Sequence, residues 1–330
     1  MMMMMLKRSK NMITPASRLF KSTLIKPSSM SNLITHTNSE FSAIDYENIK
    51  HRLKQSPPSI GYDKSLELLN QLSGFGLGKF LLKNGGLNGE WISYVCMHPY
   101  KGRITNRNQT GELMSELESF LLNKAPQFLA TQERFVIFQK ILRDIIQPNN
   151  LVASIPSGLM DDLLTLRGKI ENVTAYGIDL DHDSLEKAIF NYQTVSADPL
   201  YNTFTVKTEL RDAFDLQCYE NRFDIITSNG LNIYINDDDK VMELYKEFNK
   251  ALKPNGYLLT SHLVYPPHEF DDKDYELTKA IFYEIAEAKF QPRSVEACVS
   301  ELFASGFDVL KVEFDSKQLY PTFLCKKKEA

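Results

Sequence analysis

The sequence predicts an α/β protein in which a doubly wound, mostly parallel sheet of seven strands follows a mainly helical N-terminal region. Two observations lead to this fold class. Between residues 41 and 147 the apolar side chains recur at spacings of three and four, which is typical of helix faces. After Pro148 short apolar runs alternate with helical stretches, which is typical of a parallel sheet with crossover helices. A length of 330 residues is enough for about two such units.

The composition is that of a folded globular protein, with 43% hydrophobic and 24% charged residues. Residues 40–330 hold 32 basic and 42 acidic side chains, and this acidic balance argues against nucleic acid as the substrate. The four cysteines show neither CxxC nor zinc-ligand spacing, so we predict no disulfide framework and no metal site. Because no apolar run reaches the 18 residues of a membrane-spanning helix, we expect no integral membrane contact.

Residues 1–39 form a distinct segment that holds six basic side chains and no acidic one. This composition suits a mitochondrial presequence, but we favour a disordered tail or a misassigned start, with Met12 and Met30 as later candidates. We therefore expect a disordered or targeting tail. The expected location is cytoplasmic, with the mitochondrion as the alternative if the segment is a presequence.

Residues 40–147 form the predicted helical region, which we expect to bind substrate or act as a lid. Residues 73–90 hold six glycines, but their order does not match the GxxxxGK[ST] phosphate loop, so turns and close packing are predicted. The apolar stretch 91–97 that follows fits either a strand or a buried helix.

Residues 148–330 form the predicted sheet domain. Its strand candidates are 151–155, 173–178, 204–207, 223–227, 257–263, 307–314 and 322–326. Its helix candidates are 160–166, 184–192, 237–252, 274–288 and 295–305. The seven residues between the last two strands are too few for a parallel crossover, so these strands should form an antiparallel hairpin.

Ligands of an open α/β sheet bind beyond the carboxyl ends of its strands, so the loops after the first four strands are the candidate site. Asp179 ends the second strand 21 residues after Gly158, the usual place for a carboxylate that accepts hydrogen bonds from ribose hydroxyls. Asp212 follows the third strand, where it could accept from an adenine amino group. The candidate binding residues are Ser154, Ile155, Pro156, Ser157, Gly158, Asp179, Asp212, Ala213, Asn229 and Gly230. Each of them taken alone is also an ordinary turn or strand-end residue.

The order and spacing of these loops resemble the class I S-adenosylmethionine-dependent methyltransferases over roughly residues 148–330. The stretch 251–256 resembles that family's turn into the fifth strand, and 305–307 with the final hairpin resembles its reversed seventh strand. The resemblance implies a Rossmann-like domain, S-adenosylmethionine as the cofactor, and methyl transfer to an acceptor that is most simply a small molecule. It implies no oligomeric state.

The resemblance also implies a role for each loop. The 154–158 loop would face the methionine part of the cofactor, Asp179 the ribose, Asp212 with Ala213 the adenine, and Asn229 with Gly230 the methyl-donor end. The first loop departs from the family, which usually has an acidic residue and two or three glycines there. Asp161 or Asp162, just beyond the loop, could supply the missing negative charge, although an acidic helix N-terminus explains one of them equally well.

Methyl transfer from a sulfonium needs an acceptor held in line at about 3 to 3.5 Å, and neither a metal nor a covalent intermediate. A hydroxyl or ammonium acceptor also needs a group that takes its proton. His262, at the end of the fifth strand, and Tyr234 are the predicted catalytic residues. A hydrogen-bonded packing role is the alternative for His262. The acceptor is expected between the helical region and residues 264–293.

Two other functions stay open. A nicotinamide-dependent oxidoreductase would also use Asp179 for a ribose, but the chain has no GxGxxG and ends in the hairpin, which argue against it. The departing first loop and the large helical region are also compatible with a cofactor-binding protein that has no turnover.

Overall fold

The computed structural model describes residues 39–168, 170–198, 201, 204–266 and 273–329. Residues 1–38, which hold almost all of the predicted tail, lie outside the described residues. The described residues belong to one compact unit. No helix within these ranges is both long enough and apolar enough to cross a membrane.

The N-terminal region is helical, as the apolar spacing predicts. Its helices are α1 (Ala43–Gln55), α2 (Tyr62–Leu72), α3 (Gly76–Asn84), α4 (Gly89–Met97), α5 (Gly102–Thr105), α6 (Glu116–Asn123) and α7 (Pro126–Ile145). The stretch 91–97 is therefore a helix. Its N-cap is Asn88, whose side chain accepts from the Trp91 N–H at 3.2 Å. Pro126 begins α7 at a position where a missing N–H costs nothing.

The glycine-rich stretch provides turns and close packing. Gly85 ends α3 with φ of 61°, a left-handed conformation that a glycine adopts without strain. A Cβ on Gly78 would collide with the Leu72 carbonyl, so α2 and α3 approach each other closely only because that side chain is absent.

The sheet has seven strands in the order β3-β2-β1-β4-β5-β7-β6. The strands are β1 (Leu151–Ser154), β2 (Thr174–Asp179), β3 (Thr205–Leu210), β4 (Phe223–Asn229), β5 (Leu252–Ser261), β6 (Phe307–Glu313) and β7 (Thr322–Lys327). The first five strands are mutually parallel, and β7 lies antiparallel between β5 and β6. This order confirms the predicted Rossmann-like, doubly wound sheet and its final hairpin.

Five helices connect these strands. They are α8 (Asp161–Leu164), α9 (His182–Val195), α10 (Asp238–Ala251), α11 (Lys273–Lys279) and α12 (Val295–Ala304). The predicted helix 274–288 continues from α11 as a π-helical segment, Ala280–Ile285. β5 begins five residues earlier than predicted, because Leu252 pairs with Phe223 before a shift of register.

Three groups of buried apolar side chains hold the layers together. One lies between the sheet and α10 with α12, and a second lies on the other sheet face under α7 and α8. The third fills the helical region and includes Ile281, Phe282 and Ile285 from the segment after β5. The helical region is therefore completed by a part of the chain that follows the fifth strand.

Arg293 fixes the segment that follows β4. Its guanidinium is 5% exposed and bonds Asp238 Oδ1 at 2.8 Å and Glu301 Oε1 at 3.1 Å. It also donates to the Ile235 carbonyl at 2.9 Å. The buried guanidinium thus ties residues 235–238 to α12, with one carboxylate on each side.

We predict that Arg293→Met lowers the free energy of unfolding by about 3 to 5 kcal/mol, because Glu301 then stays buried without a counter-charge. Urea unfolding measures this loss. The double variant Arg293→Met/Glu301→Leu should recover most of it, since a matched apolar pair leaves no buried charge. A loss below about 1 kcal/mol in the single variant would contradict this description of the cluster.

Candidate active site

The loop after β1 runs along the carboxyl edge of the sheet, between β2 and β4. The Ile155 N–H donates to the Thr227 carbonyl at 2.8 Å, and the Ser157 N–H donates to the Ile178 carbonyl at 3.0 Å. Ser154, Ile155 and Ser157 are buried, whereas Pro156 and Gly158 are half-buried. The loop therefore extends the pairing of β1 and presents its last residues at the edge.

Asp179 ends β2 next to this loop. Its Oδ2 accepts from the Gly158 N–H at 2.8 Å and its Oδ1 from the Asp181 N–H at 3.0 Å. Burial raises the pKa of this carboxyl, and the backbone donors of residues 181, 158 and 180 oppose the rise. The structure thus brings together Gly158 and Asp179. Because a carboxylate has about four acceptor positions, the side chain keeps capacity for a ligand hydroxyl.

Asp162 provides a buried carboxylate where the loop itself has no acidic residue. Its Oδ2 accepts from Thr227 Oγ1 at 2.9 Å, so it lies against β4. Burial raises its pKa to about 6, and the neighbouring Asp161 adds to the rise. Asp161 turns instead toward α9, where Asn191 Nδ2 donates to it at 2.9 Å. Of the two predicted candidates, Asp162 is the one that faces the strand ends.

Asp212 and Ala213 lie on the outer side of Asp179. The Arg211 N–H donates to the Asp179 carbonyl at 2.9 Å, which joins this loop to the end of β2. Asp212 Oδ1 accepts from the Phe214 N–H at 3.0 Å and the residue is half-buried, while Ala213 is buried. This pair therefore borders the β2 end of the site on the side of β3.

Asn229 and Gly230 lie at the end of β4. Asn229 pairs with Ser261 of β5, and its Oδ1 is buried without a hydrogen-bond partner among the described residues. Buried acceptors are nearly always paired, so this oxygen marks a place for a donor from outside the described residues. Gly230 turns the chain with φ of 104°, a conformation that favours glycine.

The two predicted catalytic residues have different partners. Tyr234 is half-buried, accepts from the Leu87 N–H of the helical region at 3.3 Å, and packs on Phe290. His262 is 1% exposed and shares a hydrogen bond of 2.7 Å with the Tyr245 hydroxyl of α10. Burial lowers the pKa of His262 to about 3, so the imidazole is neutral at pH 7. Its catalytic role stays a prediction, and its surroundings are those of a packing histidine.

Arg134 is a site residue that the sequence analysis did not single out. It lies in α7, is 3% exposed, and donates from Nη1 to Ser261 Oγ at 3.2 Å. Its guanidinium stacks over the Tyr320 ring at 4.5 Å. The sequence could have indicated this residue by its spacing. Arg134 lies three residues after Thr131 and four before Phe138, which places it on the buried face of the helix.

Helix α4 closes the site from above the first loop. A Cβ on Gly89 would lie 2.5 Å from Gly158 Cα and 2.8 Å from Ser184 Oγ. The next residue, Glu90, forms an ion pair with Lys187 of α9. The helical region therefore rests directly on the loop that the sequence assigns to the cofactor.

One group of three side chains within the described ranges has ligand atoms close enough to share a metal ion: His182, Asp183 and Glu186. All three are exposed on the first turns of α9. Such a surface group alone does not make a metal site, and we assign none.

A family described as "Methyltransferase domain" matches residues 159–323, half of the chain. The chain belongs to this methyltransferase family. The match begins immediately after the 154–158 loop, the part of the sequence that departs from the family pattern. As a class I enzyme, the protein uses S-adenosylmethionine as its cofactor.

A crystal structure of a possible exported protein from Bordetella parapertussis is similar over almost its whole length. It is 30% identical, the alignment covers 87% of this chain and 96% of that one, and the TM-score is 0.75. A coverage of 87% includes the helical region as well as the sheet. The similarity therefore extends to the arrangement of both parts.

Two methyltransferase structures are more distant. The magnesium protoporphyrin IX methyltransferase of Synechocystis PCC 6803, solved with bound SAH, is 13% identical, with coverages of 73% and 98% and a TM-score of 0.47. A SAM-dependent methyltransferase of Methanosarcina mazei is also 13% identical, with coverages of 58% and 98% and a TM-score of 0.41. No curated protein matches the sequence.

The residues described here fit the cofactor. Asp179 and Asn229 end β2 and β4, and between them the carboxylate of Asp162, from α8, lies against Thr227 next to the end of β1. Carboxylates suit hydroxyl and ammonium donors, and the Asn229 oxygen lacks a donor within the described chain.

We predict that Gly89→Ala destabilises the protein by about 1 to 3 kcal/mol and weakens cofactor binding, because the methyl group would push α4 away from Gly158. Thermal unfolding and calorimetry with S-adenosylhomocysteine measure the two effects. Gly74→Ala is the milder control, since its Cβ would meet one atom within 4 Å, the Gln71 carbonyl oxygen at 3.1 Å. Equal behaviour of the two variants would show that α4 does not constrain the loop.

Proposed function

We propose that this methyltransferase acts on a small-molecule acceptor that binds above the carboxyl ends of β4 and β5. The observation that supports this most is the row of oxygen acceptors, Asp179, Asp162 and Asn229, which ends where the helical region covers β5. The cofactor accounts for the first part of this row, and contacts of the helical region with Tyr234 and Ser261 cover the rest, which favours a small acceptor.

The residue roles that we propose follow the positions along the edge. Asp179 would accept from the ribose hydroxyls, Asp212 with Ala213 would border the adenine, and the 154–158 loop would carry the amino-acid part. Asp162 would supply the negative charge that the loop itself lacks. Asn229 and Gly230 would lie at the methyl-donor end.

When bound, S-adenosylmethionine supplies a methyl group on a sulfonium, which makes the group electrophilic without help from the protein. The chain's own task is to orient the acceptor and exclude water, and orientation of this kind can contribute about 7 to 11 kcal/mol to catalysis. The contacts of α4 with Gly158 and of Leu87 with Tyr234 close the cleft for this purpose.

Tyr234 is the better placed of the two predicted catalytic residues. Burial raises its pKa, so at neutral pH its hydroxyl keeps its proton and can orient an acceptor by donating a hydrogen bond. His262 is neutral, and its contact with Tyr245 directs it toward α10. An acceptor that reaches the site already deprotonated would need no base from either residue.

Incubation with methyl-labelled S-adenosylmethionine and pools of small metabolites tests the proposal. We expect labelled product together with S-adenosylhomocysteine. Tight cofactor binding without labelled product from any pool would favour the alternative of a binding protein without turnover. Oxidation of NADH by the same pools would favour the oxidoreductase alternative.

We predict that Asp179→Ala weakens S-adenosylhomocysteine binding tenfold or more, because hydrogen bonds to a charged group contribute about 1.5 to 3 kcal/mol. Calorimetry measures the affinity. Asp183→Ala removes an exposed carboxylate four residues away and is the matched control. An unchanged affinity in Asp179→Ala would remove this residue from the cofactor site.

The raised pKa of Asp162 predicts a pH dependence of cofactor binding. An ammonium group of the ligand is attracted to the carboxylate form, and protonation through a pKa of about 6 removes that form. We therefore expect the affinity for S-adenosylhomocysteine to fall as the pH drops from 7 to 5. Asp162→Asn should bind more weakly at pH 7 and lose most of this dependence. The same slope in both proteins would assign the titration to another group.

A further inference from the structure

Arg134 is a buried charge without a counter-charge among the described residues. Its side chain makes one hydrogen bond to a protein group, from Nη1 to Ser261 Oγ, and its Nε is buried with no acceptor among the described residues. Within the same residues no carboxylate lies at ion-pair distance from it. A guanidinium is always protonated in a protein, and burial of an unpaired ion is costly.

Arg293 is a buried arginine with a purely structural role, and its ion pairs provide a comparison for Arg134. It is 5% exposed, close to the 3% of Arg134, and it has the carboxylates of both Asp238 and Glu301. The difference between these two arginines indicates that the counter-charge of Arg134 comes from outside the described residues.

The position of Arg134 places that counter-charge on the acceptor side. Ser261 ends β5, and a Cβ on Gly230, just after β4, would lie 3.7 Å from Arg134 Nη1. Tyr320 lies two residues before the start of β7. Asp179 ends β2, three strands from β5, which corresponds to about 14 Å at the usual strand spacing.

The charges of the two halves of the site differ. The carboxylate of Asp179 ends β2, and that of Asp162 lies against Thr227 of β4, beside the end of β1. Both belong to the proposed cofactor half. The sulfonium of the cofactor and the Arg134 guanidinium are both positive, so they repel each other within one closed cleft unless an anion lies near them. A planar guanidinium edge matches a carboxylate in shape and charge.

The surroundings of Arg134 are aromatic. Tyr320 stacks on the guanidinium, and Tyr234 contributes to the raised pKa of Tyr320, whose main cause is burial. Tyr283, whose pKa is raised mainly by burial, is also influenced by Tyr265 and Tyr320. These rings favour a ligand with a planar, apolar body.

We propose that Arg134 binds the carboxylate of the methyl acceptor, and that the acceptor is therefore a small carboxylic acid with a planar apolar body. The identification of this ligand as the methyl acceptor rests on the proposed function. The anion site itself follows from the geometry of Arg134 and can be tested without turnover.

Sodium benzoate is the probe, and benzamide is its uncharged equivalent. Thermal unfolding is measured with and without saturating S-adenosylhomocysteine, at an ionic strength kept constant with sodium chloride. We expect benzoate to raise the Tm of the wild-type protein by several degrees at concentrations well above its Kd, and benzamide to leave it unchanged. Arg134→Met should abolish the benzoate response.

Arg143→Met is the matched control, because it removes an exposed arginine from the same helix. It should keep the full benzoate response. Arg134→Gln is a second neutral variant that retains a donor for Ser261, and it serves if the methionine variant does not fold. Equal responses to benzoate and benzamide in the wild type, or a benzoate response that survives in the neutral variants, would overturn the proposal.

A second comparison separates the acceptor from the cofactor, which has a carboxylate of its own. Affinities for S-adenosylhomocysteine and for 5′-methylthioadenosine, which lacks the amino-acid part, are measured in the wild type and Arg134→Met. We expect both to change less than threefold. A tenfold loss for S-adenosylhomocysteine alone would assign Arg134 to the cofactor and overturn the proposal. If neither nucleoside binds the wild type, the proposed function fails, and the benzoate response still tests the anion site.

Discussion

Helix α7 belongs to two apolar cores at once, and the shape of the site depends on this sharing. Phe128 near its start packs inside the helical region, whereas Phe138 and Leu142 pack on the sheet with Val152. Twenty residues of helix span about 30 Å, so one rigid element connects both cores. Arg134 lies between the two contacts and is thereby held at the end of β5 without a loop to position it.

The covering of the strand ends follows from the same arrangement. With the helical region fixed by α7, α4 meets the first loop at Gly89 and the Leu87 N–H reaches Tyr234. On the other side Arg52 of α1 donates to the Ile285 carbonyl at 2.6 Å, which ties the segment after β5 into the helical core. The sheet loops thus form the cofactor half of the cleft, and the helices and this segment form the acceptor half.

The sheet could be predicted because buried parallel strands appear as short apolar runs, and because the seven residues between the last two predicted strands permit only a hairpin. The choice between strand and helix for 91–97 could not be made, since a short stretch that is apolar on every side fits both.

Of the site residues, Gly158 and Asp179 were found by their spacing in the sequence. Arg134 was not, because a sequence shows that an arginine is on a buried face but not whether a carboxylate accompanies it. For His262 and Ser261, adjacent residues at a strand end face opposite layers, and only the structure assigns each to its side.

The central claim is that the carboxyl edge of the sheet is divided, with the cofactor over β2, β1 and β4 and the acceptor over β4 and β5. A crystal structure of the complex with S-adenosylhomocysteine tests this most directly. The account predicts ribose hydroxyls within hydrogen-bond distance of Asp179, adenine beside Asp212, and the sulfur facing Asn229, with the space next to Arg134 left for the acceptor. A ribose bound away from Asp179, or a cofactor carboxylate seated on Arg134, would contradict it.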